Sequence, residues 1–166
     1  MKVVGEQLEG WAHTQSDFYE KDLFGRSAFN RYYYAAFLIA REMLSKYKSE
    51  WKCTPHAEIP NLLETSFSNQ IINQLKQNKK KGLMTDSEVS RLRKKLRTAT
   101  SELASLLKEA YDARVIADYE PETTITTKGN TISLKHYKLN SASGWADRAN
   151  NYCKIIYSVR RDAGLD

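Results

Sequence analysis

Residues 27–47, SAFNRYYYAAFLIAREMLSKY, contain no glycine or proline and spread their apolar side chains around most of a helix. One helical row reads Ala28, Tyr32, Ala35, Ile39, Met43, and a second reads Tyr33, Phe37, Ala40, Leu44, Tyr47. Only the row Ser27, Arg31, Tyr34, Leu38, Arg41, Ser45 is mostly polar. A helix apolar over so much of its circumference has to be enclosed by neighbours rather than laid on a surface. Ala35, Ala36 and Ala40 leave room for those neighbours to come close. The segment therefore predicts the central helix of a bundle, with one narrow polar strip left for another use.

The neighbours follow from periodicity. Val4, Leu8, Trp11, Gln15 and Phe18 follow one helical row with a single polar break, which predicts a first amphipathic helix over 3–22. Leu23-Phe24-Gly25-Arg26 reads as the turn of a helical hairpin, with Ser27 as the N-cap of the central helix. Pro55 can open a third helix and Pro60 interrupts it, so its regular part is expected over 61–78, with Leu62, Leu63, Phe67, Ile71 and Leu75 inside. Thr85 and Glu88 then have the spacing of a capping box. Val89, Leu92, Leu96, Ala99, Leu103, Leu106, Ala110, Ala113 and Ala117 recur in steps of three and four. They predict a helix over Asp86–Tyr119 with a coiled-coil-like seam. At 1.5 Å per residue that helix is roughly 50 Å long against ~30 Å for the central one, so its N-terminal third should overhang.

Pro121 stops the long helix. Residues 123–127 and 131–134, rich in β-branched side chains, flank Lys128-Gly129-Asn130 and read as a β-hairpin with a three-residue loop. Asn140 or Ser141 should cap a last helix over 142–161, with Trp145, Ala149, Tyr152 or Cys153, Ile156 and Val159 inward. The expected fold is an all-α, up-and-down bundle of four to five helices. It forms a single domain over 1–166, with a small β-hairpin inserted at 121–138 before the last helix.

Length and composition narrow the function. A chain of 166 residues suits one domain that buries roughly 70% of its unfolded surface. No apolar run approaches the ~20 residues needed to span a bilayer, and the N-terminus lacks the pattern of a signal peptide. The expectation is a cytoplasmic protein without a membrane partner, with Cys53 and Cys153 as isolated reduced thiols. His13, His56 and His136 fall on different elements without metal-ligand spacing, and neither a Gly-rich phosphate loop nor a G-x-S-x-G nucleophile pattern occurs. No metal and no cofactor are expected.

Charge is uneven. Lys76, Lys79, Lys80, Lys81, Arg91, Arg93, Lys94, Lys95 and Arg97 stand against Asp86 and Glu88, so 76–97 carries +7 of a formal net +6 and the rest of the chain −1. Such clustering suits phosphate backbones or an acidic partner, and suits equally a solvated helix end. Near the other end of the heptad helix, Arg114 and Asp118 lie four apart on one face, an ion pair of ~0.3–0.5 kcal/mol if simply exposed. The pair flanks the apolar seam. Should it meet the polar strip of the central helix, Asn30, Arg31, Tyr34, Arg114, Asp118 and Tyr119 would form one polar cluster. Of the three consecutive tyrosines, Tyr34 is the candidate site residue, and Tyr32 and Tyr33 belong to the core.

The order Asn30-Arg31-Tyr32-Tyr33-Tyr34-Ala35-Ala36-Phe37, then His56 in a loop, then Arg114-x-x-Ala117-Asp118-Tyr119, resembles the HEPN superfamily. It is most similar to its small members with an N-R-x-Y-Y-A-x-F helix and a later R-x-x-A-D-Y. The resemblance implies a bundle that forms homodimers and works in prokaryotic toxin–antitoxin or antiphage systems, often beside a minimal nucleotidyltransferase. Many such proteins are metal-independent endoribonucleases, with a catalytic Arg followed by four to six residues and a His. No histidine of this chain stands so; Tyr119 takes that place after Arg114, and a phenol of pKa about 10 is a poor base. The leading expectation is a protein that binds RNA, a nucleotide or a partner without the standard ribonuclease motif. Two alternatives stay open: an endoribonuclease toxin using Arg114 with Tyr119, Asp118 or a folded-over His56, and a structural subunit that holds a partner protein.

Overall fold

Asp17, rather than Ser27, starts the central helix. In the computed structural model, which describes residues 1–164, its carboxylate accepts a 2.9 Å hydrogen bond from the backbone N–H of Glu20. Helix α1 therefore ends early, at Lys2–Thr14, and α2 runs over Phe18–Tyr47 for 30 residues. The expected turn at 23–26 is corrected to a full turn of α2, and the bend of the hairpin lies at 15–17. Gly25 lies within the helix, where its lack of a side chain serves packing. A Cβ there would stand 3.1 Å from Cδ1 of Ile125, which sits on it. Gly5 likewise lets α1 close on α2, since a Cβ there would meet the Tyr32 ring at 2.6 Å.

After α2 the chain makes two 3-10 turns, Ser49–Cys53 and His56–Glu58. Helix α3 (Ile59–Leu62), a π turn (Leu63–Phe67) and α4 (Ser68–Lys80) continue one another as a single rod. The Ser68 hydroxyl occupies the π turn, donating to the Leu63 carbonyl at 2.9 Å and pairing with the Thr100 hydroxyl at 3.0 Å. Both are buried and mutually satisfied. Helix α5 spans Asp86–Tyr119 and opens on the capping box that Thr85 and Glu88 announced.

The expected overhang of α5 does not occur. With α2 nine residues longer at its start than the sequence suggested, the two helices are roughly 45 and 50 Å long and match. Leu92 and Leu96 are fully buried, and Lys95 donates to the Ser158 hydroxyl on the last helix at 2.9 Å. Strands β1 (Ile125–Lys128), β2 (Thr131–Leu134) and β3 (Tyr137–Lys138) then form an antiparallel sheet in that order. The β1–β2 loop has two residues rather than three, with Gly129 at φ +57°, and the short third strand extends the expected hairpin. Ile125, Ile132 and Leu134 share its buried face, packed toward α2. A short α6 (Leu139–Ala142) breaks at Ser143-Gly144 before α7 (Trp145–Asp162), so neither Asn140 nor Ser141 caps the last helix.

Helices α2, α5 and α7 pack on one another as the centre of the bundle, with α1 outside α2 and the α3–α4 rod outside α5. Cys53 is exposed and Cys153 buried, both as free thiols, and burial pushes the Cys153 thiol up to about 12. Among the described residues no helix is long and apolar enough to cross a membrane.

Candidate phosphate-binding site

One side chain fixes how the end of α5 sits on α2. Arg26 reaches across to the carbonyls of Ala117 (3.0 Å), Glu120 (3.1 Å), Ile116 (3.3 Å) and Thr123. The Ala117 carbonyl is among the acceptors a helix leaves unpaired at its C-terminus, while those of Ile116 and Glu120 accept from Arg26 in addition to the backbone N–H groups of Glu120 and Thr123. Asp22, one turn earlier on α2, accepts the N–H of Ile125 at 2.7 Å and so holds the start of the sheet. With the end of α5 pinned, Asn30 donates to Oδ1 of Asp118 at 2.7 Å, and the polar strip of α2 meets the Arg114–Asp118 pair.

Arg114 and Asp118 are 2.8 Å apart, with side chains 17% and 27% exposed. The Arg114 Nε–H is buried and does not aim at the carboxylate, so it makes no well-directed hydrogen bond. The guanidinium also lies over the ring of Tyr119, 5.1 Å from its centroid. Tyr119 itself is 67% exposed, an outer cover for Arg114.

The loop after α2 supplies the third part. Trp51 stacks on Tyr47, centroids 5.5 Å apart and nearly parallel, and meets Phe67 edge-on, which anchors the loop. Pro55 then turns the chain so that His56 lies over Phe37, centroids 3.8 Å apart, with Tyr34 edge-on at 5.8 Å. Nδ1 of His56 sits 2.8 Å from the Tyr33 hydroxyl. Tyr33 is 1% exposed, and its burial raises its pKa well above the phenol range, so that hydroxyl keeps its proton. Burial first, and then the charges of Arg114 and Arg41, hold the His56 pKa below its ordinary 6.5. Arg41 lies 5.2 Å over the Phe37 ring and makes no ion pair among the described residues.

Asn30, Tyr34, His56, Arg114, Asp118 and Tyr119 thus converge. Arg31 lines an adjoining cleft together with Asn30 and Asp118. Arg41 was in the polar row of the sequence, seven positions after Tyr34, but had no partner to single it out. Tyr33 was read as core, and it is core, yet its hydroxyl holds the imidazole. The basic segment is elsewhere. Lys79 pairs with Asp86 at 2.5 Å and Lys95 with Ser158, while Lys76, Lys80, Lys81, Arg91, Arg93, Lys94 and Arg97 are exposed. Arg93 precedes Arg114 by roughly 30 Å along α5. His13 and His136 are exposed on α1 and in the β2–β3 turn, away from this cluster in the chain.

Among the described residues no group of histidine, cysteine and carboxylate side chains is arranged to hold a metal ion. Comparison of the chain with protein-family models, curated proteins and solved structures finds no match.

What the cluster offers is anion chemistry. Two guanidinium groups, only one of them matched by a carboxylate, flank an imidazole that is neutral at neutral pH and gains charge when an anion arrives.

Proposed function

We propose that the protein is a HEPN-like RNA-binding protein whose Arg41, His56 and Arg114 seat a backbone phosphate. The observation that carries this reading is the position of His56, held by Tyr33 and Phe37 with its pKa depressed by Arg114 and Arg41. The charges of Arg41 and Arg114 both disfavour the imidazolium, and an anion between them would relieve that repulsion. A polymer fits better than a free nucleotide because a second exposed basic surface lies roughly 30 Å further along α5, within reach of one strand. The HEPN assignment, homodimer, cytoplasmic site, toxin–antitoxin or antiphage role and minimal nucleotidyltransferase partner are supported by the resemblance in 30–37 and 114–119.

His56 also favours a second reading, metal-independent RNA cleavage. Its Nε2 has no partner among the described residues; in the tautomer whose Nδ1–H donates to the Tyr33 oxygen, Nε2 carries a lone pair that would take a 2′-hydroxyl proton. The 2′-oxygen would then bond to phosphorus as the bond to the 5′-oxygen breaks, leaving a cyclic phosphate and a 5′-hydroxyl. Arg114 would steady the charge on phosphorus oxygens. Tyr119 and Asp118 fit a supporting part, since one covers Arg114 and the other is engaged by Asn30.

Fluorescence anisotropy with a labelled single-stranded RNA in EDTA tests both. Binding should fall 10- to 100-fold in the variant Arg41→Gln/Arg114→Gln, from the loss of charge-assisted hydrogen bonds of about 1.5–3 kcal/mol. Unchanged affinity in that variant contradicts the phosphate site. If the RNA is cut, His56→Gln should abolish cutting while weakening binding less than Arg41→Gln/Arg114→Gln does; cutting that survives removes His56 from the chemistry.

A further inference from the structure

Beside the cluster, on the other side of Asp118, a cleft of about 400 Å³ opens between the first turns of α2 and the end of α5. Its volume is that of a small-ligand site. Two of its charged walls are already committed, Arg26 to the end of α5 and Asp22 to the sheet. Three groups are not. Among the described residues Arg31 makes no ion pair and no hydrogen bond, and neither does the Ser27 hydroxyl. Tyr19 stands at the rim with 82% of its surface exposed. Asn30 gives its amide N–H to Asp118 and keeps its carbonyl oxygen, and Asp118 in turn forms an ion pair with Arg114. The cleft and the phosphate cluster thus share a wall. Arg31 and Tyr34, three apart on one helix face, are neighbours across it.

We infer that this cleft takes a nucleobase of the strand whose phosphate lies at Arg114. The base stacks on Tyr19, its edge bonds to Asn30 Oδ1 and Ser27 Oγ, and Arg31 holds the next phosphate. An exposed aromatic beside an unpaired cation is the usual platform for a single-stranded base. This rests on the phosphate reading above and extends it to a nucleotide register: phosphate at Arg114, base at Tyr19, phosphate at Arg31.

The test compares an eight-nucleotide oligoadenylate with an abasic ribose-phosphate oligomer of equal length, both labelled, by anisotropy. Oligoadenylate should bind at least 5-fold tighter. Tyr19→Ala should weaken it 5- to 100-fold and the abasic oligomer less than 2-fold, while Tyr19→Phe keeps both. Arg31→Gln should weaken both. A Tyr19→Ala protein that binds oligoadenylate normally, or loses both oligomers equally, overturns the inference and leaves the phosphate site intact. If neither oligomer binds the native protein, the phosphate reading fails. The cleft is then judged alone, by the Asn30 side-chain amide signal in NMR. Displacement by adenosine monophosphate but not ribose 5-phosphate supports it, and no displacement overturns it.

Discussion

At the scale of single residues, one imidazole joins the loop after α2 to the arginines of α2 and α5. His56 was legible as a candidate only because an arginine motif elsewhere lacked its histidine. Nothing in 48–58 states that the loop returns over Phe37, because that return depends on Trp51 finding Tyr47 and Phe67 in space. Arg41 was harder still: its partner in electrostatics is a residue in that loop. The pH behaviour follows. The folded chain binds the His56 proton less tightly than the unfolded one, so this group favours folding fully above about pH 6.5. That contribution is lost as pH falls through the lower folded-state pKa. By NMR titration His56 should titrate below 6.5, and Arg41→Gln should move it upward. A His56 that titrates at 6.5 and ignores Arg41→Gln contradicts the electrostatic picture. Tyr33→Phe should cost about 1 kcal/mol in denaturant unfolding, the worth of one hydrogen bond.

At the scale of elements, what was readable was local and what was missed was tertiary. The α5 capping box and heptads lie wholly within the segment they describe, and the helix forms as they say. The start of α2 was misplaced because Gly25 resembles a turn glycine, while the reason for it, the Ile125 side chain, arrives from 100 residues further on. The sheet was placed to within a few residues, but its third strand is too short to leave a pattern. Two substitutions test the packing. Gly5→Ala should destabilise by about 1–3 kcal/mol, because its methyl meets the Tyr32 ring on α2. Arg26→Ala, which strips four carbonyls at the end of α5, should cost about 2–4 kcal/mol and loosen the Asn30–Asp118 contact as well. Equilibrium denaturation reads both, and a neutral Arg26→Ala would remove the clamp from the explanation of the site.

At the scale of the whole molecule, two charged regions share one long helix. The exposed cations of 76–97 give non-specific affinity that salt screens, whereas the cluster at Arg114 is half-buried and screened less. Changing Lys79, Lys80, Arg93 and Lys94 together to Glu should therefore flatten the salt dependence of RNA binding and weaken it at low salt. Equal salt slopes in the native and changed proteins would take the basic segment out of RNA contact. The central claim, that phosphate sits at the imidazole, is reached most directly by following the ring nitrogens of His56 in ¹⁵N-labelled protein as a short RNA is added. An anion against the ring favours the imidazolium, so the His56 pKa should rise on binding and its Nε2 signal should shift. RNA that binds and saturates while His56 keeps both its pKa and its shift would place the phosphate somewhere else.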